Sequence, residues 1–204
     1  MLYLIVTTSI IDKHMNTSED HRKNRYMECI QYLIDLLEKD SSVKLVVVEN
    51  NGPRQTYLDN LKCDILYTNN NNYKFAHKGV NELSDIKDVI EHYHIKEDDM
   101  IIKLTGRYKM LDMSFIQLVK DKSKEYDAFI KFFNVCELKY MYDDCVLGLF
   151  AMKCKYIKDF EYDCIKSPEC EMAEYAKENI HKLMEIDQLN LECCFADDLR
   201  RLVV

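Results

Sequence analysis

Apolar runs rich in β-branched residues alternate along this chain with stretches whose apolar positions recur at three-and-four spacing. The first run, Leu2-Tyr3-Leu4-Ile5-Val6, closes in Thr7-Thr8-Ser9. An unbroken apolar run of this length predicts a strand buried on both faces. Asn16-Thr17-Ser18-Glu19 then offers an N-cap and an early acid, and Tyr26, Cys29, Ile30, Leu33, Ile34 and Leu37 form the stripe of an amphipathic helix. Val43 to Val48 predicts a second strand, ended by Glu49-Asn50-Asn51-Gly52-Pro53. Cys63 to Thr68 predicts a third, followed by four asparagines, 69–72, that read as a flexible loop whose amides also suit the edge of a base. Lys78-Gly79-Val80-Asn81-Glu82 opens a helix with Val80, Leu83, Ile86, Val89, Ile90 and Tyr93 on one stripe. The acids of Glu97-Asp98-Asp99 read as a solvated turn ahead of Met100 to Thr105, the predicted central strand. Gly106 breaks that strand, and Arg107, Tyr108 and Lys109 follow.

Phe115, Leu118 and Val119 mark a further helix, Asp127 to Phe133 a fifth strand, and Val146 to Met152 a sixth with Asp143 and Asp144 just upstream. Beyond Cys154 the period is helical. Ser167-Pro168-Glu169 fits an N-cap, a first-turn proline and an early acid, and Met172, Ala173, Ala176, Ile180, Leu183 and Met184 follow. Leu189 to Val204 predicts a terminal strand or helix. Alternation of this kind implies a three-layer α/β/α fold around a mostly parallel sheet, with residues 1–204 as one domain. In open α/β sheets ligands sit beyond the carboxyl ends of the strands. That rule gathers Thr7, Thr8, Ser9, Glu49, Asn50, Thr105, Gly106, Arg107 and Tyr108 at one edge. Glu49, just past the second strand, is placed as a ribose-hydroxyl ligand is in nucleotide folds. Arg22 and Arg25, early in the first helix, either reach an anion at that edge or line a solvated helix face.

Composition narrows the classes. A formal net charge of −8 and a pI near 5.3 exclude a general nucleic-acid binder, which carries a basic excess. Nine cysteines in an odd, scattered set without a CxxC pair imply reduced thiols, and with them a cytoplasmic setting. The run Leu2 to Val6 is too short for a signal peptide core or a membrane span. Neither GxGxxG nor GxxxxGK[ST] occurs, so dinucleotide oxidoreductases and P-loop enzymes lose their sharpest signals.

The succession IVTTS, an arginine-bearing helix, VVVENNG, then KGVNELSDIKDVIEHYHIKEDDMIIKLTGRY, with VLGLFAMKCKYIKDF further on, resembles the small nucleotide-sugar-dependent glycosyltransferases of GT-A fold, including those of large DNA viruses and capsular polysaccharide clusters. The resemblance covers residues 1 to about 165. It implies a nucleotide-sugar-binding half, 1–110, and an acceptor-side half, 111–204. It also implies a UDP- or GDP-linked donor whose phosphates lie at Lys78, Lys103 and Arg107 with the edge residues above, Arg25 included, and a glycan or glycoprotein acceptor. The family's D-x-D is absent: Thr105-Gly106-Arg107 stands in its place. Lys103, Arg107 and Lys109 then supply positive charge directly, or a divalent cation, Mn2+ or Mg2+, is held by Asp143 and Asp144 or by the acids of Asp159 to Asp163. Displacement by an acceptor hydroxyl needs a carboxylate base, for which Asp144, Glu169 and Glu171 are the candidates. The glutamates also read as ordinary first-turn helix acids. A nucleotidyl- or phosphotransferase and a non-catalytic nucleotide-sugar-binding module share the same edge and remain alternatives.

Overall fold

A computed structural model describes residues 1–10, 19–38, 40–72, 78–195 and 200–204. The apolar runs form strands β1 (Leu2–Thr8), β2 (Val43–Glu49), β3 (Asp64–Tyr67) and β4 (Met100–Thr105), all mutually parallel in the order β3-β2-β1-β4. After the two-residue β5 (Lys109–Met110), β6 (Ala128–Ile130), β7 (Leu149–Lys153) and β8 (Leu183–Glu185) complete a seven-stranded sheet ordered β3-β2-β1-β4-β7-β6-β8. β7 runs antiparallel to both its neighbours, so the sheet is mostly parallel with β4 at its centre.

Period-two alternation sends the two faces of the sheet into two cores. Leu2, Leu4 and Val6 of β1 and Met100, Ile102 and Leu104 of β4 pack under α1 (Glu19–Leu37) and α3 (Ser114–Lys122). Tyr3, Ile5 and Ile101 face the other way, under α2 (Lys78–His92), α4 (Cys154–Asp159) and α5 (Pro168–Asn179). The result is the three-layer α/β/α architecture that the pattern predicts. Pro168 stands in the first turn of α5, and the Ser167 hydroxyl accepts from the Cys170 amide as the N-cap. The predicted cap at Asn16 to Ser18 lies outside the described residues.

Two local readings are corrected, and the strand-or-helix alternative at the chain end is decided for strands. Leu183 and Met184 continue the spacing of α5, yet the helix ends at Asn179 and they form β8, because pairing with β6 offers backbone partners that a longer helix would forgo. Residues 70–72 of the asparagine tract form a 3-10 turn rather than a flexible loop, with Asn70 bonded to Asp85 and Asp88. The end of the chain forms β9 (Leu191–Cys194) and β10 (Arg201–Val203), which join β5 in a small antiparallel sheet. All nine cysteines are free thiols, and among the described residues no helix is long and apolar enough to cross a membrane.

Candidate functional site

Register brings the carboxyl ends of four strands to one edge. Thr8 lies level with Glu49, Glu49 with Tyr67, and Thr7 with Thr105. The antiparallel β7 starts at this same edge, where the Gly148 carbonyl accepts from the Thr105 amide at 2.8 Å. Gly106 permits the tight passage out of β4: a Cβ there would meet Thr8 Cγ2 at 2.8 Å and the Thr7 carbonyl at 3.0 Å. At Gly148 a Cβ would fall 2.0 Å from the Tyr108 ring, so the ring rests on that glycine's bare backbone.

Lys103 is the only charged residue of β4, and it is 2% exposed. It points to the α2 side with Ile101 and uses all three donors: to Glu82 Oε2 at 2.5 Å, Thr105 Oγ1 at 2.7 Å and the Leu147 carbonyl at 3.0 Å. Burial pushes the Glu82 carboxyl up. The Lys103 ammonium outweighs that, aided by Arg107 and the Thr7 hydroxyl, so Glu82 is held below the usual carboxylate range. Glu82 was not among the sequence candidates. A lysine inside an otherwise apolar strand was the available signal, because such a charge demands a counter-charge.

The arginines are built into the frame. Arg107 is half-buried, not freely exposed as its place after a strand-ending glycine suggests, and its Nε donates to the Cys194 carbonyl at 2.8 Å. Burial works against its charge, but Tyr26, Tyr108 and Glu82 offset this and keep it protonated. Arg25, 4% exposed, donates from Nε to the Arg107 carbonyl at 2.8 Å and pairs with Glu192 at 2.7 Å, tying α1 to the turn after β4 and to β9. Arg22 donates to the Ser9 carbonyl at 2.9 Å, and the Ser9 amide approaches the Tyr26 hydroxyl. Lys78 is the exposed first residue of α2.

Glu49 is fully buried and accepts from Thr8 Oγ1 at 2.7 Å, from the Ile10 amide and from Asn51, which occupies the oxygens expected to face a ribose. Asn50 donates instead to Asp85 of α2 at 2.9 Å. Asp85, another residue absent from the sequence candidates, also accepts from Thr68 at 2.7 Å and Asn70 at 2.8 Å. Burial nevertheless raises its carboxyl to about 7.

Across the edge, Asp144 is buried and accepts from Asn134 Nδ2 at 2.7 Å. Burial raises its carboxyl, and Glu169 and Asp143 add to the rise. Glu169 is half-buried in the first turn of α5, where its charge is felt by Tyr108 and Tyr162. The Glu171 carboxylate is wrapped by the amides of Cys164, Ile165 and Lys166; burial raises its pKa, but these bonds outweigh it and bring it below the usual range. It is a loop anchor in geometry. The structure thus brings Thr7, Lys103, Thr105, Arg107, Tyr108, Asp144 and Glu169 around one edge and ties Glu49 and Glu171 into their own loops.

No protein-family model and no curated protein matches the chain by sequence. Solved structures match it in shape. A protein of Desulfovibrio desulfuricans G20 described as a nucleotide-diphospho-sugar transferase superimposes with a TM-score of 0.56 at 8% identity, over 91% of this chain and 79% of that one. The fold is that of the nucleotide-diphospho-sugar transferases. A Bacillus anthracis protein described as a glucose-1-phosphate thymidylyltransferase gives a TM-score of 0.56 at 11% identity, over 91% of this chain and 86% of its own. A mannosyltransferase from Pyrobaculum calidifontis, in complex with GDP-Man and Mn2+, gives 0.55 at 9% identity, over 91% of this chain and 54% of its own.

Among the described residues the expected cation ligands, Asp143 and Asp144, lie in unlike surroundings. Asp143 is exposed while its neighbour Asp144 is buried on Asn134, and no group of three histidine, cysteine or acidic side chains suited to an ion occurs among the described residues.

Proposed function

We propose that the protein is a glycosyltransferase that binds a UDP- or GDP-linked sugar at the carboxyl edge of the sheet and transfers the sugar to a hydroxyl of a glycan or glycoprotein. The observation that carries this reading is the juxtaposition of two unlike halves. The ends of β1 and β4 carry Lys103 and a permanently charged Arg107, and the segment leading into β7 at the same edge carries a buried carboxyl, Asp144, whose affinity for protons is raised. A carboxylate that holds a proton more readily than usual suits a base taking the acceptor's proton. In the step proposed, the acceptor oxygen bonds to the anomeric carbon and its proton passes to Asp144 or Glu169. The bond from that carbon to the diphosphate oxygen breaks, and the nucleoside diphosphate leaves with the electron pair. Guanidinium charge near the leaving oxygens favours departure. Glu171 serves as an anchor here, because its oxygens are taken up by backbone amides.

A nucleotidyltransferase is the second reading, supported by the likeness to the thymidylyltransferase from Bacillus anthracis. The products separate the two. The protein is incubated with a panel of UDP- and GDP-sugars plus oligosaccharide acceptors, and separately with nucleoside triphosphates plus sugar phosphates. Release of nucleoside diphosphate with glycosylated acceptor is expected. Pyrophosphate release from the second mixture would replace glycosyl transfer with nucleotidyl transfer, and binding without turnover in either would leave a binding module.

A further inference from the structure

Three acceptor or hydroxyl groups stand together at the head of α2, and the frame of the protein leaves two of them unmet. Thr7 Oγ1 belongs to a residue 3% exposed, lies level with Thr105 on the α2 face of the sheet, and has no hydrogen-bond partner of normal geometry. Asn81 Oδ1, in the first turn of α2, is likewise buried and without a partner. Glu82 follows Asn81 in α2; its side chain is 27% exposed, and its carboxylate lies beside the Thr7 hydroxyl and is held by Lys103. Buried polar atoms are nearly always satisfied, so two orphans, one beside an ionised carboxylate and one on the residue preceding it, mark a place where something else supplies donors.

Charge decides what that something is. A phosphate would meet the Glu82 carboxylate head-on, and a metal ion would meet the Lys103 ammonium at 2.5 Å from that carboxylate. A neutral group carrying O–H donors meets neither penalty. We propose that Thr7, Asn81 and Glu82 form a subsite that reads hydroxyl groups on the sugar of a nucleotide sugar, with Lys103 as the positioning residue that orients Glu82. This rests on the nucleotide-sugar reading and deepens it: specificity among donors is set at the head of α2.

Calorimetry with two ligand pairs tests it, UDP against UDP-glucose and GDP against GDP-mannose, on wild type, Thr7→Val, Asn81→Ala and Glu82→Gln. Thr7→Val keeps the shape and removes a hydroxyl without a well-formed hydrogen bond, so it folds normally even where Glu82→Gln, which leaves Lys103 without its counter-charge, does not. The sugar-bearing member of the pair that binds is expected to weaken roughly tenfold or more in Glu82→Gln and about threefold or more in Thr7→Val and Asn81→Ala, while the bare diphosphate shifts less than about threefold. Parallel loss for both members, or no loss for either, overturns the subsite and leaves the nucleotide-sugar reading standing. Failure of the wild type to bind any of the four ligands overturns that reading, and the subsite with it.

Discussion

Lys103 sets the energetics of the site at the level of single residues. Its ammonium is withdrawn from water and the Glu82 carboxylate partly so, and the attraction between them largely offsets the cost of burial without adding a surplus. Removing one partner is therefore expected to be far worse than removing both. Glu82→Ala should lower stability by about 3–5 kcal/mol, and Lys103→Met combined with Glu82→Leu should recover most of that loss. Urea unfolding of the single and double variants measures this, and losses that simply add would show that the two are not one energetic unit. Asp85 makes a pH prediction. Its folded carboxyl sits at about 7, above the ordinary 3.8, so between these values the folded protein holds more proton than the unfolded chain. This residue's contribution to stability is fullest at low pH and falls as pH rises from about 4 to about 7. Asp85→Asn should remove that fall, read as the difference in urea midpoint between wild type and variant at about pH 5 and about pH 8. A difference independent of pH would place the Asp85 carboxyl at its ordinary value.

At the level of elements, the loop ends are held by close approach as much as by hydrogen bonds. The Tyr108 ring lies where a Gly148 side chain would be, so the turn after β4 and the start of β7 form one packed unit. Gly148→Ala is expected to cost about 1–3 kcal/mol by overpacking, and much less in a Tyr108→Ala background where the ring is gone. Thermal melts of the four proteins check it; equal costs in both backgrounds would mean that the ring does not rest on Gly148. The same scale shows what local sequence reveals. β1, β2 and β4 were legible because each is a short apolar run, interrupted at most by one lysine, with Thr or Glu at its end. β8 was not, because Leu183 and Met184 keep the helical period and only the neighbour β6, distant in sequence, turns them into a strand. The asparagine tract has the composition of a flexible loop, but Asp85, on a helix further along the chain, binds Asn70 and Asn50 together. Glu82 reads locally as one more polar position on an amphipathic helix. Its partner Lys103 lies on a different element, so the pairing is visible only in three dimensions.

Over the whole molecule, the layered order and the ligand edge follow from alternation alone, because parallel strands with period-two faces must be covered on both sides and must end together. The roles of Arg25, Glu49 and Glu171 do not follow from it: their place at strand and helix ends suits a ligand and a structural tie equally well, and the structure gives all three to internal partners. The account's central claim is that a nucleotide sugar lies at the carboxyl edge, between the head of α2 and the turn after β4. Hydrogen–deuterium exchange with saturating UDP- or GDP-sugar tests it most directly. Protection is expected in residues 7–10, 49–52, 78–85 and 103–108. Protection confined to the opposite edge, around 38–43 and 96–100, or none at all with the nucleotide sugar bound, would contradict it.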